Sequence, residues 1–225
     1  MPDADPISAR IAGNVAAVRA EIAAACTRAG RDFAGVRLIA VTKSQGPAVL
    51  PALAAAGITD IGENRADHQA LMRAALPPGI RVHAIGRVQG RQFAELVPIS
   101  DALHSLASLD HVPRLARACA GRGTPFPVFL QVNASGEAAK AGLAPKELPR
   151  LLAAVQAESA LDPVGLMTMA EEAMEEAALR RCFRTLRALA QEHGLARLSM
   201  GMSQDFPIAI EEGATDIRVG IRLFV

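Results

Sequence analysis

Eight short apolar runs, separated by stretches with helical spacing, constrain this chain more than any other feature. They occupy 37–43, 58–64, 81–86, 102–106, 127–132, 164–169, 198–202 and 215–221. Branched, mostly uncharged runs of this length suit strands buried on both faces of a parallel sheet. Between them the apolar residues change to a period of three and four. The first helical stretch, 6–29, precedes every strand, places Ile7, Ile11, Val15, Val18, Ile22 and Cys26 on one face, and is closed by Gly30. Others are expected at 48–56 (ended by Gly57), through about residue 75, after the third run, at 110–120, 145–158 and 174–191, and in a short piece ending at Glu212. The alternation predicts an α/β protein, a (β/α)8 TIM barrel with an extra N-terminal helix. A doubly wound open sheet is the runner-up, since strand counts from one sequence err. No Gly- or Ser-rich linker interrupts the pattern, so one domain over 1–225 is expected.

Composition narrows the function. Half the residues are hydrophobic, yet aromatics are 3% and Trp and Tyr are absent, which points to close helix–sheet packing on small side chains. A formal charge of +1 offers no electrostatic reason to bind nucleic acid or an anionic membrane. Cys26, Cys119 and Cys182 lie far apart in predicted helices without metal-ligand spacing, as expected of reduced thiols in a cytoplasm. No signal-peptide pattern opens the chain, and no apolar run reaches the roughly 18 residues of a membrane span.

Chemistry is expected where strands end, because the βα loops of a barrel share one rim. The first run stops on Lys43, before the turn Ser44-Gln45-Gly46-Pro47. A partly desolvated amine there can attack a carbonyl and form a Schiff base; equally, a lysine at a strand end can simply snorkel to solvent. Loops after the seventh and eighth strands often hold phosphate in such barrels. Ser199-Met200-Gly201-Met202-Ser203 ends the seventh run, Ser203 can N-cap a helix beginning near Gln204, and Gly220 leaves room for a backbone N–H to approach the same anion. Ser203 as a cap and nothing more is the competing reading. Arg218, inside the eighth run, needs either a salt bridge or a ligand atom that accepts a hydrogen bond. Asn64, His83 and Asn133 stand near strand ends and suit loop hydrogen bonding more than catalysis. Glu171, Glu172, Glu175 and Glu176 form a solvated acidic patch around a helix start.

A Schiff-base lysine facing a phosphate cradle describes a phosphorylated aldehyde. On that ground, and on its motifs, the chain resembles the pyridoxal-phosphate homeostasis protein family, whose fold is that of the N-terminal barrel domain of alanine racemases without their second domain. The resemblance runs end to end. It includes Ala40-Val41-Thr42-Lys43, Ile61-Gly62-Glu63-Asn64, His83-Ala84-Ile85-Gly86 with Gln89, Gln131-Val132-Asn133 with Ser135, Glu137, Lys140 and Gly142, then Gly165-Leu166-Met167, Ser199-Met200-Gly201-Met202-Ser203 with Asp205, and Arg218-Val219-Gly220. It implies pyridoxal 5'-phosphate bound as a Schiff base on Lys43, with Ser203 and backbone groups around Gly201, Gly220 and Ile221 on the phosphate and Arg218 at the pyridine nitrogen. Asn64, His83 and Met167 join the implied binding set. Departures are Ile221 where the family has Thr, Arg222 where a small residue is usual, Arg65 for Tyr, and Arg91-Gln92 for Asn-Lys.

Three functions follow: a carrier that buffers or delivers the cofactor, an amino-acid racemase, or an aldolase-like enzyme whose lysine attacks a sugar phosphate. A racemase needs a second base, and the related racemases use a tyrosine, which this chain lacks. An arginine at the pyridine nitrogen also weakens the ring as an electron sink. The expectation is a non-catalytic, cytoplasmic, monomeric carrier of pyridoxal phosphate, with apo enzymes that use it as recipients and no nucleic-acid or membrane partner.

Overall fold

The chain folds as a closed barrel of eight parallel strands in sequence order, β1 to β8, with β8 hydrogen-bonded back to β1. The computed structural model describes residues 6–136, 141–170 and 174–225. Glu137, Lys140, Glu171 and Glu172 therefore lie outside the described residues. The strands are β1 Arg37–Val41, β2 Asp60–Glu63, β3 Arg81–Ala84, β4 Ala102–Leu106, β5 Phe126–Gln131, β6 Leu161–Met167, β7 Arg197–Ser199 and β8 Asp216–Val219. The helices are α1 Pro6–Arg28, α2 Leu50–Ala55, α3 Ala66–Ala74, α4 Phe93–Leu96, α5 Val112–Ala118, α6 Leu148–Gln156, α7 Glu176–Glu192 and α8 Phe206–Glu211.

The helices cover the barrel through their apolar faces. In α7 the buried set is Leu179, Cys182, Phe183, Leu186 and Ala190, the stripe expected of a helix lying on a sheet. Helix α1 precedes the first strand and buries Ile11, Val15, Val18, Ile22 and Cys26, whereas Ile7, expected on that face, is 45% exposed. All three cysteines are buried, and none forms a disulfide. Glu175 and Glu176 are exposed at the start of α7, and Glu176 pairs with Arg180 at 2.8 Å.

Several strand boundaries depart from the sequence reading. Strand β6 begins at Leu161, earlier than expected, and includes Asp162 and Pro163. The sixth apolar run was expected to open at residue 164, after Pro163, and proline cannot donate to a ladder. Here the pairing with β5 shifts register between Val128 and Phe129, beside Pro163, and that irregularity accommodates the missing N–H. Strand β7 stops at Ser199, and β8 at Val219, because the residues that follow leave the ladder to build the rim. Gly86 shows how tightly that rim is packed: a Cβ there would lie 2.2 Å from the Asn64 carbonyl oxygen, so only glycine fits.

Ion pairs close the opposite end. Asp60 pairs with Arg81 at 3.0 Å and Arg37 at 3.6 Å, while Asp216 takes Arg37 and Arg197.

Candidate functional site

The rim gathers side chains that are remote in sequence because every strand ends there. Lys43 follows β1 in a tight turn, Thr42 to Gln45, closed by the Gln45 N–H donating to the Thr42 carbonyl at 2.8 Å. Thr42 is fully buried, whereas Lys43 and Ser44 are exposed. The pairing of β1 with β8 sets Ala40 opposite Val219, and Gly220 lies against Val41, with room for a Cβ only 3.4 Å from the Val41 Cβ. The lysine turn and the loop after β8 are neighbours.

Ser203 reaches the same place from β7. Its hydroxyl accepts from the Gly220 N–H at 3.1 Å, which links the loops after β7 and β8. It does not cap α8. The chain first makes a turn in which the Asp205 and Phe206 N–H groups donate to the Met202 carbonyl, so the helix starts at Phe206 and Asp205 takes the capping position. The Asp205 carboxylate turns back to accept from the Met202 N–H. The helix N-terminus that the sequence offered as an anion site is thus not at Ser203; loop N–H groups are what stand there.

Gly201 is required by this loop. Its φ is +94°, its carbonyl accepts from the Arg218 N–H at 2.9 Å, and a Cβ would meet that of Ala209 at 2.7 Å. Gly201→Ala is expected to destabilise the protein by at least the roughly 1–2 kcal/mol of left-handed strain, read as a lower urea midpoint. Ile221 is 67% exposed and offers only its backbone. Arg222 fastens the site instead: its guanidinium donates to the Ser203 carbonyl at 3.3 Å and to Glu21 of α1 at 3.1 Å. Met167 is buried at the end of β6, and Asn64 is exposed just after β2. Asn133 accepts from the Ser135 hydroxyl at 3.0 Å, the loop role expected of it.

Arg218 is buried and donates to the Ser199 hydroxyl and, at 2.9 Å, to the Thr168 carbonyl. Among the described residues no carboxylate forms an ion pair with it. Burial lowers its pKa to about 10, with the charges of Asp205 and Asp216 pulling the other way, so it remains a cation at neutral pH. Behind it runs a hydrogen-bonded chain through the barrel interior. Ser199 meets His104 Nδ1 at 2.8 Å, His104 Nε2 meets His83 Nδ1 at 2.9 Å, and His83 Nε2 meets Asp60 at 2.8 Å. His83 is therefore turned inward onto side chains; it does not satisfy a loop at the mouth.

The chain runs from a carboxylate at the floor to a guanidinium at the rim. Burial alone would raise the Asp60 carboxyl, but hydrogen bonds from His83 and Thr59 and the charges of His83 and Arg81 hold it well below the usual carboxylate range. An ionised carboxylate only accepts, so His83 donates through Nε2. Burial, then the proximity of His83 and Arg218, pushes His104 well below its ordinary value and keeps it neutral. A neutral His104 has a single N–H, so it donates at one ring nitrogen and accepts at the other, and the Ser199 oxygen accepts from Arg218. Two histidines and a serine thus join the positive charge at the rim to the negative charge at the floor. Sequence reasoning missed Asp60, His104 and Ser199 as members of this relay; the available signal was a polar residue inside an apolar strand run.

Comparison with known proteins follows this geometry. Residues 14–225 match the family model described as alanine racemase, N-terminal domain. A relative from Pseudomonas aeruginosa named pyridoxal phosphate homeostasis protein is 40% identical over 217 residues, covering 95% of this chain and 94% of the relative. A crystal structure of a protein from Bifidobacterium adolescentis superposes with a TM-score of 0.92 at 31% identity, over 98% of this chain and 97% of the other. PipY of Synechococcus elongatus PCC7942, solved with PLP bound, superposes with a TM-score of 0.82 at 31% identity, over 96% of this chain and all of that one (100%).

Proposed function

The chain belongs to the family of pyridoxal phosphate homeostasis proteins, built on the alanine racemase N-terminal domain, and we propose that it holds pyridoxal 5'-phosphate as a Schiff base on Lys43 to buffer and deliver it. One observation carries the reading: the Lys43 turn adjoins a loop pair cross-linked by Ser203 and Gly220, beside a buried guanidinium with no carboxylate partner among the described residues. When bound, the cofactor would supply an aldehyde, the group with which a primary amine such as that of Lys43 condenses with loss of water.

This chain's own residues do the rest. Lys43 presents the amine from an exposed turn. Ser203 and the backbone at Gly201, Gly220 and Ile221 form the phosphate side. Arg218, oriented by Ser199 and Thr168, would hold the ring nitrogen as an acceptor, which would weaken the ring as an electron sink. Asn64 and Met167 line the ring's surroundings, and His83 acts through the relay. With no tyrosine in 225 residues, the second base that related racemases use is missing, and a carrier is favoured over a racemase. The name of the Pseudomonas aeruginosa relative and the PLP in the PipY structure support this reading. Among the described residues no helix is long and apolar enough to cross a membrane. A one-domain cytoplasmic monomer that hands cofactor to apo enzymes completes the proposal.

The test is to purify the protein, record visible absorbance, reduce with borohydride and map the modified peptide. A colourless protein that gains no mass on adding pyridoxal phosphate would end the carrier reading. Ser203→Ala is expected to weaken cofactor retention roughly tenfold or more, the loss of one hydrogen bond to a charged group, measured by equilibrium dialysis.

A further inference from the structure

We propose that His68 and Glu63 are positioning residues for Lys43, sharing one extra proton that lets them clasp both ends of the turn carrying the amine. His68 Nδ1 lies 2.7 Å from a Glu63 carboxylate oxygen, and its Nε2 lies 2.9 Å from the Gln45 carbonyl oxygen. Both partners accept, and a neutral imidazole has a single N–H to give. Both contacts are made at once by an imidazolium facing a carboxylate. The other Glu63 oxygen accepts from the Thr42 hydroxyl.

Thr42 and Gln45 are the first and last residues of the Lys43 turn. Glu63, at the end of β2, therefore grips one end, and His68, in the first turns of α3, grips the other. The Glu63 side chain is fully buried, while the His68 side chain is 21% exposed, so its proton can leave to solvent. The charged groups nearest in the chain, Arg65 and Asp67, are exposed and bonded to each other at 3.1 Å; Lys43 itself stands exposed on the turn. When the proton leaves, one N–H serves two acceptors. The charge-assisted bond to the buried carboxylate is the stronger, so the Gln45 carbonyl is released and that end of the turn comes loose. The amine is best presented while His68 is charged.

The inference rests on Lys43 being the cofactor lysine, and one arm of its test does not. Imidazole 15N NMR of the protein without added cofactor is expected to show two protonated ring nitrogens on His68 at about pH 6, with a single titration step above it. A ring with one N–H at that pH overturns the proposal. In the second arm, pyridoxal phosphate is offered briefly at a series of pH values and trapped on Lys43 with borohydride, in wild type and His68→Leu. Wild type is expected to couple about tenfold faster at about pH 6, and the ratio to fall toward one at about pH 9. A ratio of one throughout, or one that does not change with pH, would also overturn it. If wild type does not couple at all, the carrier reading has failed, and the NMR arm still judges the His68–Glu63 pair.

Discussion

Lys43→Ala is expected to leave a folded barrel that takes up no covalent cofactor. The chain has three lysines, Lys43, Lys140 and Lys146, so few amines compete. Lys146 is exposed in the short turn that leads into α6. Lys43 is itself exposed, and such substitutions usually change stability by less than about 0.5 kcal/mol. The variant should therefore unfold at the wild-type urea midpoint while showing no visible absorbance and no mass gain after borohydride. Full-yield modification of the variant at another amine would remove Lys43 from its role. A collapse of cooperative unfolding would make the lysine a structural residue.

The largest stability effect is expected at Asp60. Its carboxylate meets His83 at 2.8 Å, the Thr59 hydroxyl at 2.7 Å, Arg81 at 3.0 Å and Arg37 at 3.6 Å. Asp60→Ala leaves those donors facing an empty space, and removing one partner of a buried ion pair typically costs about 3–5 kcal/mol. It also removes the carboxylate on which the hydrogen-bonded chain behind Arg218 ends. A urea midpoint shift worth less than about 1 kcal/mol would mean the relay does not act as a unit.

The same groups set the pH dependence. His104 is depressed in the fold, so the unfolded chain binds its proton first as pH falls. Stability is then fully present above the unfolded value and declines below about pH 6.5, by up to about 1.4 kcal/mol per pH unit for one proton. Asp60 is depressed as well, and its share is lost below about pH 4. Urea midpoints measured from neutral to acid pH should fall in two stages, and His104→Gln should remove the upper one.

Much of this was legible in the residues, and the reason is local. Leu38 to Val41 could be read as a buried strand because every side chain in it is apolar, and α7 as a helix because Leu179, Phe183 and Leu186 recur at helical spacing. The start of β6 was placed at residue 164 and lies at Leu161, because the register shift that accommodates Pro163 belongs to the pairing with β5, which local pattern does not report. Ser203 was misread as a cap for a similar reason: its partner, Gly220, is 17 residues away and arrives only when β8 pairs with β1.

What the sequence alone determined is the alternation that demands a barrel, the lysine that ends the first strand, the Arg-x-Gly step that ends the last, and the missing tyrosine. What only the tertiary structure decided is who holds whom. Ser199 meets His104 across 95 residues of chain, and His68 finds the Gln45 carbonyl on another strand's loop. Strand and helix patterns are written by burial, residue by residue. Hydrogen bonds between buried polar groups depend on distances of a few tenths of an ångström, and those exist only once eight strands have closed into a ring.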